Sequence, residues 1–261
     1  MGWWEDFSEV YDIPESYFKP LKDKTLEEVI AEGPSEHDKR PKSDEYLYYL
    51  TSPITIRISD EVIRVVDSIV WKHKNARSRS KVIAYAMKLG VTFDSKYEVK
   101  PYGKLRNLLT ETVGSMKDEI LFELVDIHFS RLDTLIRYKE PDVAGSKINV
   151  RPFWWVTAYI SDFAPKYNVY SKSFAAKLLL YYGLSRSEKY VPSMYKAKLI
   201  DEVRAMVNAI NEAYRSSWDL CKKVCWALSK YDAGELENFV NKIKKIDGDL
   251  YDEIIKFVAY L

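Results

Sequence analysis

The sequence predicts a mainly α-helical protein with short β-ribbon strands and additional long helices. Three observations predict it. Apolar residues recur at helical spacing through most of the 261 residues. Two short stretches instead alternate apolar and polar side chains. The segments that follow those two stretches re-read one another at an offset of about 94 residues.

The first alternating stretch is ITIRIS, residues 54–59. A strand there puts Ile54, Ile56 and Ile58 on one face and Thr55, Arg57 and Ser59 on the other. Ser59-Asp60-Glu61 then opens a helix, with a hydroxyl to cap it and acids in the first turn. Val62, Ile63, Val66, Ile69 and Val70 supply its apolar face up to about Lys74. After the break NARSRS, Ser78 caps a second helix, in which Val82, Ile83, Ala86, Met87 and Leu89 face inward and Gly90 is the expected stop.

Residues 1–50 form an acidic, aromatic N-terminal arm interrupted by Pro14, Pro20, Pro34 and Pro41. TLEEVIAEG reads as a short helix capped by Thr25, and GPSEHDKRPKSDE as an exposed linker. The Trp3–Trp4 pair is expected to dock on the body of the protein. Residues 104–138 and 196–231 read as long amphipathic helices, and 235–261 as one or two more. The organisation that follows is an arm (1–50), a first strand–helix–helix unit (51–92), a helical connector (93–146), a second unit (147–187) and a C-terminal helical region (188–261).

A formal net charge of +1 hides an uneven distribution. The arm has 13 acidic residues against 6 basic ones, whereas 51–92 has 8 basic against 3 acidic and 147–190 has 7 against 2. Two basic segments suit an anionic partner. No apolar run is long enough to span a bilayer and no signal peptide is evident, so an intracellular protein without a membrane partner is expected. Cys221 and Cys225 lie four apart and read as small apolar residues of one helix face, and His37, His73 and His128 are scattered. No metal and no cofactor is therefore expected.

The repeat sets Ile54 over Ile148, Arg57 over Arg151, Val62 over Val156, SRS 78–80 over SKS 171–173, and Gly90 over Gly183. The offset is 94 before the interhelix loop and 93 after it, a one-residue change where loops tolerate one. In the second copy Pro152-Phe153 replaces Ile58-Ser59, and Pro165 is expected to shorten the first helix.

At these residues the chain resembles the ribbon-helix-helix superfamily of the MetJ/Arc/CopG kind. ITIRISDEVIRVVDSIVWKHKNARSRSKVIAYAMKLGV carries the resemblance closely, and the second copy more loosely; about 40 residues per copy are covered. The resemblance implies that two units pair their strands antiparallel and that the ribbon enters the DNA major groove. The outward residues would then read bases: Thr55 and Arg57 in one copy, Lys147, Asn149 and Arg151 in the other. Ile54, Ile56, Ile58, Ile148 and Val150 would be core. The second-helix N-termini, with Ser78, Arg79 and Ser80 and with Ser171, Lys172 and Ser173, would meet phosphates. Pairing of the copies within one chain (a pseudo-dimer) and pairing with a second chain (a homodimer) are both open.

The expected function is sequence-specific binding of double-stranded DNA, as in a transcription regulator. The alternative is a structural or interaction protein that uses the same fold to coat DNA or to hold other proteins. No Walker loop, nucleophile elbow, His-Glu-His metal motif or Gly-rich dinucleotide turn is present, so no enzyme is expected. Two further expectations concern the surroundings of the ribbon. Residues 1–45 could fold over a basic face and weaken non-specific binding. Trp154 and Trp155 either cover the core or wedge the second copy away from DNA.

Overall fold

The two alternating stretches form one sheet. In the computed structural model, which describes residues 13–39, 53–116, 118–167 and 171–261, β1 (Ile54–Ile58) pairs antiparallel with β2 (Ser146–Val150). Thr55 stands opposite Asn149, with Ile54 opposite Val150 and Ile56 opposite Ile148 on either side. Thr55 and Asn149 are also equivalent positions of the sequence repeat, so exchanging the two copies maps the register onto itself. The strands' apolar face is buried at Ile54, Ile56, Ile58 and Val150, whereas Ile148 is only half-buried.

Helices make up 74% of the structure. In the arm, α1 (Glu15–Phe18) and α2 (Leu26–Glu32) precede β1. Thr25 and Glu28 close a reciprocal capping box at the start of α2. α3 (Asp60–Val70) follows β1, capped by the Ser59 hydroxyl on Val62 N–H. α4 (Arg79–Gly90) is capped by Ser78 on Lys81 N–H. Next come α5 (Tyr102–Met116) and α6 (Glu119–Tyr138). After β2 come α7 (Trp154–Tyr167) and α8 (Lys172–Ser185), the latter capped by Ser171 on Phe174 N–H. α9 (Ser193–Ser216), α10 (Trp218–Tyr231), α11 (Ala233–Ile246) and α12 (Gly248–Val258) complete the chain.

The chain divides into two compact units. The first comprises residues 1–98, 139–163 and 171–207, and the second 99–138, 164–170 and 208–261. In the first unit α4 and α8 cross at the centre, and each also packs on the strand of the other copy, α4 on β2 and α8 on β1. Both helices are buried almost all round, as a central helix pair must be. The crossing is close enough that a Cβ on Gly90 would stand 2.0 Å from the Leu179 carbonyl oxygen, and one on Gly183 would stand 1.8 Å from that of Ala86. In the second unit, Tyr102, Leu109, Phe129, Tyr214, Val224 and Phe239 are among the buried side chains.

Several expectations are corrected. The α-helical part of α4 does end at Gly90, but Gly90 does not form a left-handed cap. Its φ is −60°, the chain runs on into a 3-10 turn over Val91–Ser95, and the missing side chain serves the crossing with α8. Pro165 does not shorten α7, which runs two residues beyond it, because a proline in the last turn removes only one intrahelical donor. The two long helices are each split. Asp118 accepts from Leu121 N–H and starts α6 afresh. Ser217, its hydroxyl turned back to the Ala213 carbonyl, separates α9 from α10. Residues 34–39 are not a free linker, since a 3-10 turn over Glu36–Asp38 buries the Asp38 side chain. Trp3, Trp4 and residues 40–52 lie outside the described residues.

The described part of the arm belongs to the first unit's core. Ile13, Phe18, Leu21, Leu26, Val29 and Ile30 are buried. Asp38 meets Lys88 of α4 at 2.6 Å, accepts from Trp155 Nε1 at 2.9 Å and from the Tyr17 hydroxyl at 2.7 Å. Burial alone would push the Asp38 carboxyl up, but the Lys88 ammonium and the donors around it outweigh burial and hold it below its ordinary value. Glu27 accepts from the Ser187 hydroxyl and from Glu188 and Lys189 N–H, so its carboxyl too is lowered despite burial.

Candidate nucleic-acid interface

Alternation along the two strands creates the exposed face. Thr55, Lys147 and Asn149 are exposed and Arg57 is half-buried. Side chains directly opposite one another in an antiparallel pair share a face. Thr55 and Asn149 therefore meet, and the Thr55 hydroxyl donates to Asn149 Oδ1 at 2.7 Å. Arg57 stands opposite Lys147, and its guanidinium donates to the Gly145 carbonyl at 3.2 Å. Arg151 lies just beyond the end of β2 and is exposed. These five positions hold three cations and no carboxylate, and two of the cations face each other. Like charges directly opposite in a sheet are destabilising, and an anion lying across them relieves the repulsion.

The helix N-termini join this face unequally. Ser80, in the first turn of α4, accepts from Arg151 N–H at 3.3 Å, which ties that helix start to the end of β2. Ser78 is exposed and occupied as a cap, and the cap leaves other first-turn N–H groups without intrahelical partners. Arg79 forms a two-bond ion pair with Asp67 of α3, at 2.6 and 2.8 Å. At the other start, Ser171 is the cap, Lys172 is exposed, and Ser173 donates to Glu140 at 3.2 Å. The equivalent serines Ser80 and Ser173 thus have unlike partners, and the two ends of the ribbon are chemically different.

Other residues fix the elements around this face. Asp142 sits in the turn before β2 with a φ of 55°, accepts from Ser59 N–H at 3.0 Å and from the Tyr181 hydroxyl. It fixes the start of α3 to the turn that leads into β2. Lys177, buried in α8, pairs with Glu140 at 2.9 Å and donates to the Pro141 carbonyl. No sequence signal marks these pairs, because each joins residues more than 30 positions apart. Trp155 is buried, and Trp154 is half-buried with its indole N–H on the His37 carbonyl. Both therefore pack inward on the arm.

The described part of the arm leaves Thr55, Lys147 and Asn149 exposed. Cys221 and Cys225 are buried in α10, and burial raises both thiols, Cys225 to about 12. Among the described residues no helix is long and apolar enough to cross a membrane. Compared with protein-family models, curated proteins and solved structures, the chain gives no match.

Proposed function

We propose that this chain is a double-stranded DNA-binding protein, a tandem ribbon-helix-helix pseudo-dimer in which the two copies pair within one chain. The ribbon would enter the major groove, and the starts of α4 and α8 would meet phosphates on either side. The observation that carries the reading is the exposed ribbon face, with Arg57 opposite Lys147, Thr55 opposite Asn149 and no carboxylate. Arginine matches the O6/N7 edge of guanine and asparagine the N6/N7 edge of adenine. The strands differ in sequence, so the reading calls for an asymmetric target site and fits a transcription regulator. It assigns the chain a binding role and no catalytic one.

One contact favours a second reading, coating of DNA without sequence preference. Thr55 and Asn149 satisfy each other in the free chain. If that bond persists on DNA, only the cations engage the duplex, and binding depends on charge and salt alone.

Selection from random duplex DNA at fixed salt separates the two. Wild type should yield a motif, and Arg57→Ala and Asn149→Ala should each lose preference at particular base pairs, at about 1–3 kcal/mol per contact. Equal binding to all duplexes would establish coating, and no binding to any would end both readings.

A further inference from the structure

The second unit carries an apolar surface that its own fold leaves open. α6 has two apolar seams. Val125, Phe129, Leu132 and Ile136 are buried in the unit. The other seam, Ile120, Leu124 and Ile127, is exposed, with Ile120 at 82% and Ile127 at 49%. Continued at the same alternating four- and three-residue spacing, this seam reaches Arg131 and Thr134, the pattern with which one helix meets another. The seam borders a groove between α6 and α10, formed by two overlapping depressions of about 640 and 730 Å³. Trp226, half exposed, lines its far end. A contiguous apolar patch rimmed by charge marks an interaction surface.

We infer that this groove is a self-association surface, where α6 of a second copy of this chain lies antiparallel across α6 of the first. Charge selects the occupant. Glu119, Glu123 and Asp126 are exposed on the N-terminal half of α6, and Arg131 and Arg137 on the C-terminal half. Glu123 and Arg131 both line the groove, and Ile127 lies midway between them. A two-fold axis at Ile127 therefore sets Glu123 of each copy against Arg131 of the other, twice over. A parallel arrangement would oppose Glu123 to Glu123. The antiparallel arrangement also opposes the helix dipoles favourably. A surface that complements itself under a two-fold rotation is what an isologous dimer requires. Since β1 and β2 already pair inside the chain, dimerisation through α6 would bring a second ribbon into the assembly.

Sedimentation equilibrium of the full chain, from 1 to 100 µM in low salt, tests it. Wild type should sediment as a dimer. Leu124→Arg should raise the dissociation constant at least tenfold. Glu123→Arg and Arg131→Glu should each weaken association, and the double exchange should restore it, because the ion pairs reform with their charges reversed. All three positions are on the open face, so circular dichroism should show unchanged helicity. A monomeric wild type overturns the inference, as does a dimer indifferent to Leu124→Arg or a double exchange no better than the singles. DNA binding is not involved in the readout, so this result and that of the duplex selection stand apart.

Discussion

Gly90 and Gly183 are reciprocal contacts of one helix crossing: each abuts the backbone of the helix that carries the other, Gly90 at Leu179 and Gly183 at Ala86. The four positions are two pairs 93 residues apart, the spacing of the sequence repeat in this region. A methyl group at either glycine would have to displace backbone, which a flexible neighbour cannot absorb. Gly90→Ala and Gly183→Ala should therefore each cost at least about 2 kcal/mol, read from urea midpoints. Once α4 and α8 have been forced apart, the second substitution adds less, so the double variant should fall short of the sum. Gly114→Ala in α5 is the control. Beyond its chain neighbours and its own helix backbone, no atom lies within 4 Å of its added methyl, and relief of helical glycine should stabilise by about 0.5–1 kcal/mol. Equal effects at the three glycines would refute the crossing.

The Asp38–Lys88 pair holds the arm to α4 away from water. Lys88→Met alone leaves a buried carboxylate without its counter-charge, and should cost about 3–5 kcal/mol. Adding Asp38→Asn should recover a large part of the loss, because the buried charge is gone and Trp155 and Tyr17 keep an acceptor. A double-mutant cycle in urea checks this. Purely additive losses would mean that the two side chains are not coupled.

Acid should loosen the same region. The Asp38 and Glu27 carboxyls are both held below their ordinary values in the folded chain. Groups with a depressed folded pKa supply stability that is whole above the unfolded-chain value, about 4, and is lost as pH falls through the folded pKa. The contribution of these two carboxyls to the unfolding midpoint should accordingly be constant from pH 7 to 5 and drop below about pH 4, beside an earlier loss from His128, which burial holds below its ordinary value. In Glu27→Gln the acid drop should be shallower. An unchanged slope in that variant would show that Glu27 contributes nothing to it.

Arg79 and Lys172 occupy equivalent helix starts but should contribute unequally to DNA binding. Arg79 is engaged by Asp67 through two bonds, whereas Lys172 is exposed. Lys172→Ala should reduce the salt slope of duplex affinity by roughly one phosphate contact, a change of about 0.9 in log–log slope. Arg79→Ala should change it by much less. The reverse order would mean that Arg79 leaves Asp67 on binding.

Cys221 and Cys225 should be silent towards a thiol reagent in the native protein. Burial raises both thiols and denies access. Titration with a chromogenic disulfide should count no reactive thiol when folded and two in denaturant. Rapid native labelling would contradict their placement inside α10.

Much of the local architecture was set by neighbouring residues and could be read from the sequence. The alternation of ITIRI makes a strand with one buried face. Ser59, Ser78 and Ser171 cap helices because a hydroxyl before an apolar-periodic run meets a free N–H two or three residues on. The repeat offset contained the ribbon's centre, Thr55 opposite Asn149. Only tertiary structure decided what distant groups do to one another. It chose pairing within the chain, made Gly90 a packing contact as well as the end of its α-helix, and matched Lys88 with Asp38 and Lys177 with Glu140. It also occupied Arg79 with Asp67 and left the seam of α6 open. Periodicity and capping act over one or two turns of chain. Ion pairs and close helix crossings depend on which surfaces meet, a matter of the whole chain's packing that no local pattern encodes.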